Sequence, residues 1–200
     1  ITLADGSSQN KIIDNPAMVV GPDNRIHCLY TINVGKIRQN GSVIYVYSDD
    51  DGLTWSEPRD ISNVTSPFER GLLATGPGHG IVLQNGTIVI PVWYSKNTDP
   101  SNESDAFPSV TSTLYSLDNG DTWILGEEIS GSDSLVNPNE CTLVQLPTGQ
   151  VMMNIRSLTP NYLWASTISE TGYSDWMEPA FIDELPGPHC YGSLLRHKGQ

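Results

Sequence analysis

Two stretches decide the fold of this chain: Ser48-Asp-Asp-Asp-Gly-Leu-Thr-Trp55 and Ser116-Leu-Asp-Asn-Gly-Asp-Thr-Trp123. Both fit the pattern Ser-x-Asp-x-Gly-x-Thr-Trp, which describes a hairpin turn. The Ser and Asp side chains bond to nearby backbone, the Gly takes positive φ, and the Trp packs beneath. Such a turn satisfies its own polar groups, so Asp50 and Asp118 read as structural acids rather than catalytic ones. A third copy, Ser169-Glu-Thr-Gly-Tyr-Ser-Asp-Trp176, keeps the Ser-to-Trp spacing but lacks the Asp and has its Gly displaced.

Working outward, a strand-forming run precedes each box: 42–47, 110–115 and 163–168. Ahead of each run lies an apolar strand, a tight turn and a second apolar strand, over 17–30, 80–93 and 141–154. The turns centre near residues 23, 85 and 148, giving steps of about 62 and 63 residues, in the range of long propeller-blade repeats. A fourth hairpin is expected to begin over 192–199. One unit is therefore a hairpin, a third strand, a boxed turn and a short fourth strand. Four antiparallel strands per unit describe a propeller blade. No amphipathic helix pattern interrupts them. The expected class is all-β, with about three blades in this chain, too few to close a ring.

Composition narrows the partners. Asp and Glu number 23 against 10 Lys and Arg, for a net charge of −13. Nucleic acids and anionic membranes want a basic patch, which this balance opposes. No run approaches the roughly 20 apolar residues of a membrane span. Cys28, Cys141 and Cys190 are isolated and read as small buried hydrophobes; no metal or cofactor is expected. The chain opens Ile1-Thr2-Leu3 with no signal peptide, which suggests a processed or truncated start. Sequons begin at Asn40, Asn63, Asn85 and Asn102.

One pair of residues stands out as chemistry. Leu146-Pro-Thr-Gly-Gln150 suits a type I turn followed by Gly149 in the left-handed region, the three-residue hairpin loop. Counting outward from it, Leu146 faces Gln150 and Glu140 faces Arg156. Opposed residues share a face. By themselves these residues leave two readings open, a cross-strand ion pair or a functional couple.

The boxes resemble the Asp-box (BNR) repeats of bacterial-type exo-α-sialidases (neuraminidases). Further segments follow in the order found in that family: Asn15-Pro-Ala, Ala74-Thr-Gly-Pro-Gly-His-Gly80, Asn139-Glu140, Met153-Asn-Ile-Arg156 and Cys190-Tyr-Gly-Ser193. The resemblance runs from about Asp14 to Arg196 and implies a six-bladed β-propeller of sialidase type. Residues 1–200 would be a partial propeller domain of central blades, truncated at both ends. It implies an exo-α-sialidase that removes terminal sialic acid from glycoconjugates with retention, through a tyrosyl-enzyme intermediate. Glu140 would be the base beside the tyrosine nucleophile, and Arg156 one of three arginines gripping the substrate carboxylate. His79 and Asn139 would line the pocket, and Tyr191 its rim. The first arginine and the acid/base aspartate would lie upstream, the third arginine and the nucleophilic tyrosine downstream, so the isolated chain is expected to be inactive.

Tyr45, Tyr94 and Tyr162 sit in ordinary strand patterns and are not read as nucleophiles. Asn15, Arg25, Arg38, Arg59 and Arg70 read as scaffold or surface, with Arg70 closest in sequence to the His79 loop. Sialylated glycans are the expected partners and an extracellular or cell-surface location is expected. A non-catalytic carbohydrate-binding or adhesion propeller is the rival reading. A different glycosidase on the same scaffold is a third, against which Arg156 argues.

Overall fold

A computed structural model of the chain describes residues 11–34, 39–65, 72–96, 106–160, 162–187 and 190–197. Arg38, Arg70 and Asn102 lie outside them. The described residues form three sheets and a single 3-10 turn, Ser62–Thr65, so the all-β expectation holds.

The first sheet holds β1 (Lys11–Val20), β2 (Ile26–Val34), β3 (Gln39–Ser48) and β4 (Arg59–Asp60). The second holds β5 (Leu73–Thr75), β7 (Ile81–Val82), β8 (Ile88–Ser95), β9 (Ser109–Ser116), β10 (Ile124–Leu125) and β11 (Ile129–Ser130). The third holds β12 (Cys141–Gln145), β13 (Val151–Ile155), β14 (Leu163–Ser169) and β15 (Ala180–Pro186) in sequence order. Each sheet is one expected blade, and the architecture is that of a propeller.

Two departures from the expected unit bear on the site. The inner position of the second blade is not one strand starting at Gly80. β5 pairs with the far half of β8 (Thr75↔Val92) and β7 with its near half (Ile81↔Val89). Between them the chain detours through Gly76–Gly80, where Gly76 and Gly78 adopt φ of 36° and 104°. In that detour β6 (Gly78–His79) runs alongside β1 and pairs Ala17↔Gly78 and Met18↔His79. This contact is parallel, whereas every pairing was expected to be antiparallel. It covers part of the inner edge of β1, which would otherwise present unpaired backbone. Second, residues 192–197 form no hairpin strand; they lie across the inner strand ends, where Leu194 O meets His79 Nε2 at 3.0 Å.

The blades hold together through alternate faces of shared strands. β8 is buried along its whole length, as a near-continuous apolar run should be when both faces are covered. Ile88, Ile90, Val92 and Tyr94 join Leu29, Val43 and Tyr45 of the first blade in one core. Val89 joins Leu143, Val151, Met153 and Ile155 of the third blade in another. Burying each such aliphatic side chain contributes about 1.5–3 kcal/mol.

The boxed turns close on themselves as their sequence dictates. Ser48 Oγ accepts from Gly52 N at 2.9 Å, and Asp50 accepts from Thr54 N at 2.8 Å and Thr54 Oγ1 at 2.6 Å. Ser116, Asp118, Gly120 and Thr122 repeat these bonds. In the third copy, Thr171 Oγ1 takes the place of the missing carboxylate, accepting from Tyr173 N at 3.2 Å and Ser174 N at 2.9 Å. The Trp side chains differ in their surroundings. Trp55 is half-buried over its own turn, with Nε1 donating to Gly52 O at 3.1 Å. Trp123 is 5% exposed and wedged edge-on against Tyr45 of the first blade.

The second boxed turn also fastens two blades. Asn119 Nδ2 donates to Asp23 Oδ2 at 2.7 Å, and Arg59 donates to the carbonyls of Gly120 and Asp121. Arg59, read as surface, is thus a joint. Beside it His27 is fully buried, accepting from or donating to Tyr45 Oη at 2.8 Å, and burial lowers its pKa. Arg25 conforms to the surface reading, gripping Asp49 and stacking on Tyr47. Asn63 and Asn85 are exposed.

Candidate active site

The hairpin of β12 and β13 has the register expected from its turn. Gly149 has φ of 96°, Leu146 N donates to Gln150 O at 2.7 Å, and the ladder runs from Gln145↔Val151 to Cys141↔Ile155. At its open end the ladder changes. Arg156 N donates to Glu140 O at 2.9 Å, while Arg156 O accepts from Asn139 N at 3.0 Å. Two residues therefore oppose one, the pattern of a β-bulge, which re-aims side chains at a strand end. Glu140 N is left off the ladder and donates to Asn139 Oδ1 at 2.8 Å; Asn139 Nδ2 donates to Asn137 O at 2.9 Å. The amide of Asn139, 2% exposed, is consumed in shaping this bulge.

Glu140 and Arg156 form an ion pair through Oε2 and Nη1, with side chains 19% and 26% exposed. Partial burial strengthens the pair relative to one in water, and geometry of this kind leaves one carboxylate oxygen and one guanidinium edge for a further partner.

The pair lies at a cavity of about 230 Å³ where the three blades meet. The first blade contributes Asp14 and Asn15, the second Leu72, Ala74 and Trp93, the third Asn139, Glu140 and Arg156. Asn15, read as scaffold, is on the cavity wall. The reason is a break in the β1–β2 register between Asp14 and Ala17, with Asn15 at φ 49°. Asp14 Oδ1 accepts from Thr31 Oγ1 at 2.8 Å and Asn33 Nδ2 at 3.3 Å. Sequence reasoning missed Asp14, Asn15 and Trp93; the Asp-Asn-Pro run within a strand was the available signal for the first two. Neither boxed aspartate lines the cavity.

His79 is not brought to this cavity. It lines a separate groove with Val19, Val82, Leu143 and Leu194, and its ring nitrogens face Gly80 O at 3.1 Å and Leu194 O at 3.0 Å. The parallel pairing with β1 turns the ring away. Tyr191 does not line the cavity either. Its hydroxyl packs against Gly78, where any Cβ would collide with it, and lies beside Thr142 without meeting hydrogen-bond geometry. Burial raises its pKa against the opposing effect of the Thr142 hydroxyl, with smaller upward contributions from Cys141 and Glu140. Among the described residues no cluster of His, Cys, Asp or Glu suits a metal, and no helix is long and apolar enough to cross a membrane.

The family model for the BNR repeat-like domain matches residues 1–189. The chain belongs to that family. BNR-repeat relatives include a sialidase of Clostridium perfringens, 35% identical over 168 residues, which covers 80% of this chain and 41% of the relative. An exo-alpha-sialidase of Aspergillus fumigatus is 28% identical over 208 residues, covering 92% of the chain and 44% of the relative. The BNR fold is also that of a Trypanosoma rangeli sialidase solved with sialic acid, with a TM-score of 0.64 at 16% identity, over 86% of this chain and 28% of the other. A Hadza microbial sialidase gives a TM-score of 0.67 at 22% identity, over 84% and 33%. The chain spans less than half the length of these curated relatives.

Proposed function

We propose that this chain supplies central propeller blades to an exo-α-sialidase, a retaining glycoside hydrolase acting on sialylated glycans outside the cell. The observation that carries this reading is the Glu140–Arg156 pair at the cavity where three blades meet; the named activities of the relatives support it.

The chemistry suits the residues. Sialic acid bears a carboxylate at its anomeric carbon, and a guanidinium binds a carboxylate with two parallel bonds. A carboxylate nucleophile would be repelled there, so a neutral tyrosine is the better attacker, departing from the two-carboxylate scheme of most glycosidases. Tyrosine needs a base beside it, and Glu140 takes that role. Arg156 bonded to Glu140 couples the group that holds the substrate to the group that activates the attack. Asp14 and Asn15 offer acceptors and a donor to sugar hydroxyls across the cavity.

The test is release of a fluorescent aglycone from an α-sialoside by the full-length protein. Glu140→Gln should lower kcat about 10²- to 10⁴-fold with little change in KM, since it removes a base and keeps the shape. Arg156→Lys should raise KM and lower kcat together. Unchanged turnover in Glu140→Gln would remove its role. The same assay on residues 1–200 alone should give no release, because a constellation that acts as a unit loses orders of magnitude with each missing member.

A further inference from the structure

The face of the third blade that carries Glu140 and Arg156 continues inward as a second polar row. Thr142 and Asn154 are cross-strand partners one step behind the pair. They are 2% and 3% exposed. No protein group meets hydrogen-bond geometry with Thr142 Oγ1 or Asn154 Nδ2, nor with the Tyr191 hydroxyl beside Thr142, nor with Arg156 Nε at the end of the same row. Buried polar atoms in native proteins are paired in nine cases or more out of about ten. A cluster of this size on one strand face is therefore a signal of a bound polar molecule. Two neighbours shape the enclosure. Gly78, with no side chain, leaves room for the Tyr191 hydroxyl against its backbone. Gly187 and Gly192 both press on the Trp164 indole, one residue along β14 from Ala165, the partner of Ile155, and fix the backbone next to Tyr191.

We propose that Thr142 Oγ1, Asn154 Nδ2 and the Tyr191 hydroxyl together hold one ordered water behind the Glu140–Arg156 pair. The donor and acceptor count fits. Asn154 Nδ2 donates; the two hydroxyls can each donate or accept. A water with three partners is the common buried arrangement. The Thr142 and Tyr191 hydroxyls are close enough for Thr142 to lower the Tyr191 pKa yet do not meet hydrogen-bond geometry, and a water beside them serves both. The water docks Tyr191, and with it residues 190–192, onto the hairpin that carries Glu140. Tyr191 is then a positioning residue for the cavity mouth rather than a group that touches substrate. The water site stands on the packing alone; its bearing on catalysis rests on the function proposed above.

The sign of one stability change tests it. Thr142→Val replaces the hydroxyl by a methyl group of the same shape. If the hydroxyl is solvated by a bound water, the substitution raises the unfolding equilibrium constant of the full-length protein, about fivefold for one net hydrogen bond. If the hydroxyl is dry and unpaired, the substitution stabilises, because a buried polar group without a partner is removed. An unchanged or lowered constant overturns the proposal. Tyr191→Phe should raise the constant similarly, and the fold-increase of the double variant should fall short of the product of the two single fold-increases, since both remove the same water. Multiplying effects overturn it. A crystal structure at high resolution should show density within about 3.2 Å of all three atoms; a direct Thr142–Tyr191 bond in its place overturns it. None of these readouts uses a sialoside, so failure of Glu140→Gln to lower turnover would sink the proposed function and leave this result standing.

Discussion

The boxed turn at 116–123 and the hairpin mouth at 139–156 each carry an acidic side chain among polar neighbours, and they use that acid in opposite ways. In the turn, both carboxylate oxygens of Asp118 are engaged by Thr122, and Gly120 N by the Ser116 hydroxyl. Although burial alone would raise it, these bonds hold the Asp118 pKa below the usual carboxylate range. At the mouth, the ladder stops short and a bulge turns two side chains toward a cavity. An acid whose bonds are all local shapes the chain. An acid facing one cation at the rim of a cavity is available for chemistry. The type of residue does not separate the two cases; the destination of its hydrogen bonds does.

By this contrast, changes in the turn should cost stability and spare turnover per folded molecule, and changes at Glu140, Arg156 and Asn139 should lower turnover with little loss of stability. The largest stability effect is expected at Trp123. Trp123→Ala should destabilise by about 3–5 kcal/mol, because it empties a space between two blades, whereas Trp55→Ala, half-exposed, should cost markedly less; chemical denaturation measures both. Asp118→Ala should cost about 1–2 kcal/mol, comparable to losing a helix cap, with kcat per folded molecule unchanged. A fall in kcat without a fall in stability would break the comparison. Asn139→Ala should lower kcat several-fold more than it alters KM, as it loosens the bulge that aims Glu140, and Asn139→Asp should recover part of the loss because the acceptor for Glu140 N remains.

Acid should act on the turn side of the comparison first through His27. Its buried ring has a lowered pKa in the fold, so the unfolded chain takes up the proton first. Stability from the neutral ring is therefore complete above the unfolded value of about 6.5 and declines as pH falls below it. Asp50 and Asp118, whose pKa values are lowered, add a further loss on the acid side of about pH 4. His27→Gln should flatten the profile just below about pH 6.5 and leave the more acidic loss intact, as followed by thermal melting against pH. The smallest effect is expected from Thr171→Asp, which restores only the missing carboxylate of the third box and should change stability by no more than about 0.5 kcal/mol, because Thr171 already bonds the same turn.

What the sequence made legible was local. The Pro147–Gly149 loop sets the register of its hairpin, so the meeting of Glu140 and Arg156 follows from counting. The boxed turns carry their own bonding, so their shape follows from residue type. The rest depended on contacts distant in sequence. Asn139 reads as a pocket residue because it precedes Glu140; only the ladder shows its amide turned back on the bulge. His79 reads as a pocket residue because glycines flank it; the edge of β1 draws that segment aside. Asn15 and Trp93 reach the cavity because three blades converge there, a fact that no spacing within one blade encodes.

The hydrogen bond from Gly120 N to the Ser116 hydroxyl has a consequence for the age of the molecule. Asn119-Gly120 is the dipeptide most prone to spontaneous loss of ammonia, in which the glycine nitrogen attacks the preceding side-chain amide and leaves an aspartate or its isomer. Here that nitrogen is buried and already committed to Ser116 at 2.8 Å, while the amide under attack is held by Asp23 at 2.7 Å. The turn thus shelters its own weakest chemical link, and a chain that loses this bond starts a clock: each conversion would set a new carboxylate against Asp23 and remove one fastening between the first blade and the second.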